Sequence, residues 1–315
     1  MSNLILKADS LYKSYTSHQA VIDFSLEVSK GEICSLIGQN GAGKSSILRM
    51  LAGVFLPDKG VLSLFTEKKI GYLPEERGLY QEMQVLEQLE FLAKLKGLSD
   101  QEAKTKSELA LDKYGLGDWK KKKIKQLSKG MQQKVQILST VLHEPELLIL
   151  DEPFSGLDPV NLDLICSLIA DLKAQGKAII ITTHEMHIVE QISDKICFLH
   201  KGKVAWAGTK DDLTEKFGLN KYRISLKDNR CDSNHTLESY LLDLLGKENS
   251  QIKSFKTIDN AGVVIKLGQQ IIYEIEVFEG FSGQELFLLL SEKFEIMKFE
   301  FYFPTLEESF KEICK

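Results

Sequence analysis

No apolar run in this chain is long enough to cross a bilayer. The longest, at residues 147–150 and 178–181, are strand-sized, far short of the roughly 20 residues of a membrane helix. The first ten residues hold no apolar stretch of signal-peptide length. Any membrane role is therefore expected to be peripheral, through a partner. Cysteine is also sparse. Cys34, Cys166, Cys197, Cys231 and Cys314 are scattered, odd in number and without metal-ligand spacing. That usage fits reduced, mostly buried thiols in a cytosolic protein. An excess of positive charge is missing too. The formal net charge is -5, so nothing global draws the chain to nucleic acid or an anionic membrane. No internal repeat and no low-complexity segment occurs.

What is present suits a full hydrophobic core. Hydrophobic residues make up 43% and charged residues 27% of the 315, the balance of a soluble globular protein. That length holds one large domain or two ordinary ones. Residues 3–28 read as strands with turns, and 32–37 as a short apolar strand. The stretch 44–56 has helical periodicity, with Ile47, Leu48, Leu51 and Val54 on one face. Residues 85–97, 101–114 and 128–143 each read as a helix. Strands resume at 147–150, 178–181 and 195–200, separated by helices at 160–175 and 186–192. Alternating strands and helices predict an α/β fold with a mainly parallel sheet. The helix-rich insertion, about 76–143, is expected to form its own subdomain. Near residue 219 the character changes. Strand-like segments at 222–226, 252–257, 263–267, 271–277 and 296–301, with helical ones at 236–245, 283–294 and 305–314, predict a small α+β domain over 219–315.

Three segments carry chemistry. Gly38-Gln39-Asn40-Gly41-Ala42-Gly43-Lys44-Ser45, followed by Ser46, fits G-x-x-x-x-G-K-[ST] between a strand and a helix. Glycines let backbone N–H groups approach a phosphate, and the helix N-terminus adds partial positive charge. Lys44 can reach the β- and γ-phosphates, and Ser45 can ligate Mg²⁺. Leu147-Leu148-Ile149-Leu150-Asp151-Glu152 is a buried strand ending in two carboxylates. Asp151 fits the role of a Mg²⁺-holding aspartate, and Glu152 can accept a proton from an attacking water. Leu127-Ser128-Lys129-Gly130-Met131-Gln132-Gln133 opens a helix, with Ser128 as N-cap. By itself this last segment reads equally as an ordinary capped helix. The preceding basic run, Lys120 to Lys123 with Lys125, reads as a solvated loop, since no aromatic residues interleave it.

In order and approximate spacing these pieces resemble the ATP-binding-cassette (ABC) ATPases, over about residues 3–217. Residues 127–133 resemble that family's signature, and Ser155-Gly156-Leu157-Asp158 its D-loop. His184 resembles its switch histidine, and Tyr15 the aromatic ring that stacks on adenine. The resemblance implies a P-loop NTPase cassette over 1–218 and an accessory domain over 219–315. It implies ATP and Mg²⁺ as cofactors and head-to-tail pairing with a second cassette, as homodimer or heterodimer. ATP would lie between the loop of one cassette and the signature of the other. Ser128 and Gly130 would then contact the γ-phosphate in trans. His184 would hydrogen-bond it, and Glu152 would act as base or position the water.

Two departures from the family pattern stand out. Glu75 takes the place of a usual glutamine, as a third candidate Mg²⁺ ligand beside Ser45 and Asp151. Lys129 replaces a signature glycine. At a few Å, each charge could matter by about a few kcal/mol, so either Lys129 partly offsets Glu75 in a closed dimer, or both are tolerated surface changes. Phe303-Pro304-Thr305-Leu306-Glu307-Glu308-Ser309-Phe310 and the stretch from Pro74 to Tyr80 resemble bacterial sodium, drug and antibiotic exporter subunits. That implies an integral membrane permease as partner, attachment to the cytoplasmic face of the cell membrane, and no nucleic acid. The alternative is a soluble ABC ATPase acting on ribosomes or DNA. Those members carry two cassettes or a long coiled coil, and this chain has one cassette and too few residues over 50–127. The family's accessory domain is concerned with dimer contacts or regulation.

Overall fold

Apolar segments without polar alternation must be buried on both faces, and here they become the middle of a parallel sheet. In the computed structural model the described residues are 3–16, 18–66, 70–76, 78–218, 220–227, 237, 240–242, 252–258, 270–278 and 280–314. Contacts divide the chain into two units, Met1–Lys210 with Phe310–Lys315, and Asp211–Ser309.

The first unit begins with β1 (Leu4–Tyr15) and β2 (His18–Ser29), an antiparallel hairpin, followed by β3 (Ile33–Gly38) and α1 (Lys44–Leu51). Next come β4 (Lys59–Leu64), β5 (Gly71–Leu73), and the helices α2 (Val85–Leu95), α3 (Asp100–Lys113) and α4 (Lys129–Val141). The chain returns through β6 (Leu147–Asp151), α5 (Pro159–Ala174), β7 (Ala178–Thr182), α6 (Met186–Ile192), β8 (Lys195–His200) and β9 (Lys203–Thr209). The central sheet has the order β5-β6-β7-β3-β8-β9, parallel except for β9, and a smaller antiparallel sheet has the order β2-β1-β4.

Side-chain alternation divides the central strands between two apolar layers. Cys34, Leu36, Leu147, Ile149, Ala178 and Ile180 pack on the side of α1 and the β1–β2 hairpin. Ile33, Leu148, Leu150, Ile179 and Ile181 face the other way, with α5 and the helical insertion. Helix starts follow local chemistry. Ser99 and Glu102 form a capping box at α3, and Asp158 caps α5 with Pro159 at its first position.

The second unit begins within α7 (Lys210–Gly218). It continues through β10 (Lys221–Lys227), β11 (Ile252–Ile258), β12 (Gln270–Val277), α8 (Gly283–Ser291) and β13 (Ile296–Phe301) to α9 (Leu306–Ile313). Its sheet is antiparallel, in the order β11-β12-β10-β13. Tyr222, Ile224, Ile275, Leu286 and Leu290 center its own core. Thr305 and Glu308 make reciprocal bonds at the start of α9, Glu308 N–H to Thr305 Oγ1 at 3.2 Å and Thr305 N–H to Glu308 Oε2 at 3.0 Å. Farther along, Phe310 belongs to the first unit, where its ring packs 5.2 Å from that of Phe198. The chain from Phe310 onward therefore groups with the first unit.

Several elements differ from the sequence reading. Helix α1 stops at Leu51, not near 56, because Gly53 turns left-handed at φ 71, and Val54 is left exposed. Strands β4, β5 and β9 were not legible. They are edge or near-edge strands that pair mainly through tertiary context. The strand at 263–267 and Cys231 lie outside the described residues. Of the helix at 236–245 only Leu237 and 240–242 lie within them, and they are helical. Cys34, Cys166 and Cys197 are buried free thiols, and Cys314 is half-buried.

Ile180 lies fully buried in the middle of β7. Ile180→Ala is expected to lower the unfolding free energy by about 2–5 kcal/mol, read as a fall in the denaturant midpoint with an unchanged slope.

Candidate nucleotide-binding site

The glycine-rich turn sits between β3, near the middle of the sheet, and α1. Gly43, the N-cap of α1, has φ 99, and a Cβ there would lie 2.4 Å from the Ala20 carbonyl oxygen. Only glycine fits both constraints. Lys44 Nζ donates to the carbonyl oxygens of Gly38 at 2.7 Å and Gln39 at 3.3 Å, which lays its stem along the loop. Ala42 buries its methyl in the core, and its N–H donates to Gln39 O at 3.0 Å, which shapes the turn.

Asp151 and Glu152 follow β6, the strand beside β7. Asp151 is nearly fully buried, and its Oδ1 accepts from Thr182 Oγ1 at 2.6 Å. Glu152 takes a left-handed backbone at φ 48, and its N–H donates to Thr182 Oγ1 at 3.0 Å and Thr182 O at 3.2 Å. The Glu152 carboxylate, 11% exposed, places Oε2 3.0 Å from His184 Nδ1. Burial pushes the Glu152 carboxyl above its ordinary range, while His184 and Lys44 pull it back.

Tyr15 ends β1. Its ring meets Phe55 edge-on at 6.2 Å, and Ser46 Oγ donates to its hydroxyl at 3.3 Å. The end of β1 is fastened by Asp58, whose two oxygens accept from Lys13 Nζ and the Ser14 N–H, each at 2.7 Å.

These pieces border one cavity of about 850 Å³, within the usual ~300–1,000 Å³ of small-molecule sites. Its walls include Tyr15, Gly38, Gln39, Asn40, Gly41, Gly43, Lys44, Ser45, Ser46, Glu75, Asp151, Glu152 and His184. It also takes in Ser155, which opens the stretch resembling the D-loop, and His18 and Ala20, which the sequence did not single out. His18 was findable, since it follows Tyr15 across a tight hairpin. A phosphate chain fits the turned N–H groups and the start of α1. The Ser45 hydroxyl with the Asp151 and Glu75 carboxylates is an oxygen donor set suited to Mg²⁺. Among the described residues no group of three or more His, Cys, Asp or Glu could hold a metal by itself, so phosphate oxygens and water would have to complete the shell.

Ser128 and Gly130 lie outside this cavity. Ser128 caps α4, its Oγ accepting the Met131 N–H at 3.2 Å, and Lys129 follows, exposed. Gly130 is buried, and a Cβ there would come within 2.2 Å of the Asn161 side chain. Asn161 in turn donates through Nδ2 to Asp158 Oδ2 at 2.6 Å. The basic loop is largely ion-paired: Lys120 to Asp112 at 2.7 Å, Lys123 and Lys125 to Glu82 at 3.0 and 2.7 Å.

A glycine turn on a central parallel strand, with a two-carboxylate strand tip and a histidine beside it, defines a nucleotide-hydrolysing P-loop cassette. The comparisons narrow this. Residues 21–155 match the ABC transporter family. The uncharacterized ABC transporter ATP-binding protein YhaQ of Bacillus subtilis is 36% identical over 98% of both chains. The linearmycin resistance ATP-binding protein LnrL of the same species is 34% identical over 68% of this chain and 72% of its own. A solved ATP-binding subunit of an ABC transporter superposes with a TM-score of 0.62, at 31% identity, covering 76% of this chain and 99% of that one. The chain belongs to the ABC transporter ATP-binding proteins, which bind and hydrolyse ATP.

A carboxyl raised on folding binds its proton more tightly in the native state than in the unfolded chain. The native state therefore gains stability below the ordinary glutamate range and loses it as pH rises through the raised value. Glu152→Gln is expected to melt at a higher temperature than the parent at pH 7. Thermal melts should show that gap closing towards about pH 4, the ordinary glutamate range.

Proposed function

We propose that this chain is the motor subunit of an exporter-type transporter, closing on a second cassette around ATP and passing that motion to a separate membrane permease. One observation carries the reading. The phosphate loop, Asp151, Glu152 and His184 share a cavity, whereas Ser128 and Gly130 begin another helix outside it. A nucleotide held here would need the signature of a second chain, the same or a related one, to surround its γ-phosphate. Two stretches support the exporter class: Pro74 to Tyr80 and the capped tail from Phe303 to Phe310. The resistance role in the name of LnrL agrees with it.

The roles follow from placement. Tyr15 offers its ring to the adenine. Gly38, Gln39, Asn40, Gly41 and Gly43 line the wall that cradles the phosphates, with Ser46 at its end. Lys44 spans the β- and γ-phosphates, exchanging its present carbonyl partners for phosphate oxygens. Ser45, Asp151 and Glu75 would hold Mg²⁺, which neutralises phosphate charge. Glu152 takes a proton from the attacking water at its carboxylate, and its raised affinity for protons favors that step. His184 fixes the Glu152 side chain and lies close enough to the cavity to donate to a γ-phosphate oxygen. The Asp211–Ser309 unit is assigned to dimer contacts or regulation.

Among the described residues no helix is long and apolar enough to span a membrane. As the partner of a permease in the proposed exporter, the chain is assigned to the cytoplasmic face of the membrane. Expressed with its permease, the chain should sediment with membranes; expressed alone, it should not.

Glu152→Gln is expected to lower kcat by about 10²–10⁴ while ATP still binds; full turnover in that variant would overturn the assignment of the base. Glu75→Gln and Lys129→Gly test the charge compensation across the dimer. A double-mutant cycle on ATPase rate should depart from additivity by more than about 0.5 kcal/mol, and strict additivity would remove the coupling.

A further inference from the structure

We propose that Thr182 is a positioning residue that sets both carboxylates at the tip of β6 through its one hydroxyl. The inference rests on the reading of Asp151 as metal-holding and Glu152 as base. Thr182 ends β7 directly across from Asp151 in the parallel register and is fully buried. Its Oγ1 lies 2.6 Å from Asp151 Oδ1 and 3.0 Å from the Glu152 nitrogen.

The direction of each bond is dictated by chemistry. A backbone N–H only donates, so Thr182 Oγ1 accepts from Glu152. A hydroxyl has a single proton, so that proton goes to Asp151. The 2.6 Å separation is that of an O–H donating to a charged oxygen. Bulk water cannot substitute at so buried a position.

Two consequences follow. Asp151 has one oxygen committed, which fixes the direction of the other towards the cavity it lines with Ser45 and Glu75. Glu152 has its N–H held at the residue where the backbone turns left-handed, φ 48. From that turn the Glu152 side chain reaches His184. A group that orients a metal ligand in this way typically changes metal affinity or activity by about 10–100-fold when removed. A hydroxyl serving only to staple two strands would affect stability and leave the Mg²⁺ dependence of nucleotide binding untouched.

The experiment uses the full-length chain and the variants Thr182→Val, Thr182→Ala and Thr182→Ser. ATP affinity is measured with Mg²⁺ and with EDTA, alongside kcat, KM and melting temperature. Val and Ala should keep the EDTA affinity and lose about 10–100-fold of the Mg²⁺-dependent gain. Their kcat should fall by a similar factor with KM for ATP little changed. Ser, which keeps the hydroxyl, should restore both. An unchanged Mg²⁺ gain in Val and Ala overturns the proposal, as does a Ser variant as impaired as Val. Failure of both Val and Ala to fold also overturns it, since the hydroxyl would then be holding the strand. Glu152→Gln run in parallel separates the two readings. If it turns over normally, the base assignment fails; if it is inactive while Thr182→Val is normal, only the role of Thr182 fails.

Discussion

Two neighbouring carboxylates at one buried strand tip have to be kept from repelling each other, and the first unit is arranged around that constraint. Asp151 and Glu152 are consecutive, yet they have different partners. Asp151 is bound to a hydroxyl of β7, while Glu152 turns through a left-handed backbone to His184. The separation depends on the parallel pairing of β6 with β7, which brings residue 151 opposite residue 182. That pairing depends in turn on strands apolar on both faces and layers of side chains above and below them. Core packing and site chemistry are therefore one problem. A slip of register between β6 and β7 would take the hydroxyl from between the Asp151 carboxylate and the Glu152 N–H.

The nucleotide side of the cavity follows a similar logic at lower cost. The loop needs little from distant chain, since its glycines and the helix start are local. Its long-range requirements are close approaches, the Leu199 carbonyl to Gly38 and the Ala20 carbonyl to Gly43, the second of which ties the loop to the β1–β2 hairpin. That same hairpin carries Tyr15, and Phe55 and Asp58 from the segment after α1 hold its end. The ring offered to the base and the loop offered to the phosphates are thus fastened to one small substructure.

The sequence disclosed the features that are local. The loop, the carboxylate-ending strand and the capped helices announce themselves through spacing and periodicity within a dozen residues. Features set by pairing were hidden. The edge strands β4 and β9 have no apolar run of their own. Thr182 carried no signal in the strand that ends in it, since its importance lies in what stands across from it in β6. Gly130 could be matched to a signature motif, but its contact with Asn161 belongs to the packing of α4 on the cap of α5. Ala42 sits inside a motif, and its side chain serves the core.

The return of Phe310 to the first unit has a consequence for synthesis. A ribosome makes a chain from its N-terminus, and domains usually fold as they emerge. Here the ring that packs on Phe198 follows the whole of the second unit in the chain. The cassette can begin to assemble early, but Phe198 lacks that cover until residue 310 has emerged. A product terminated before Phe310 would carry the complete loop and both carboxylates with that ring uncovered. Quality control could recognise such a product before it ever met a partner.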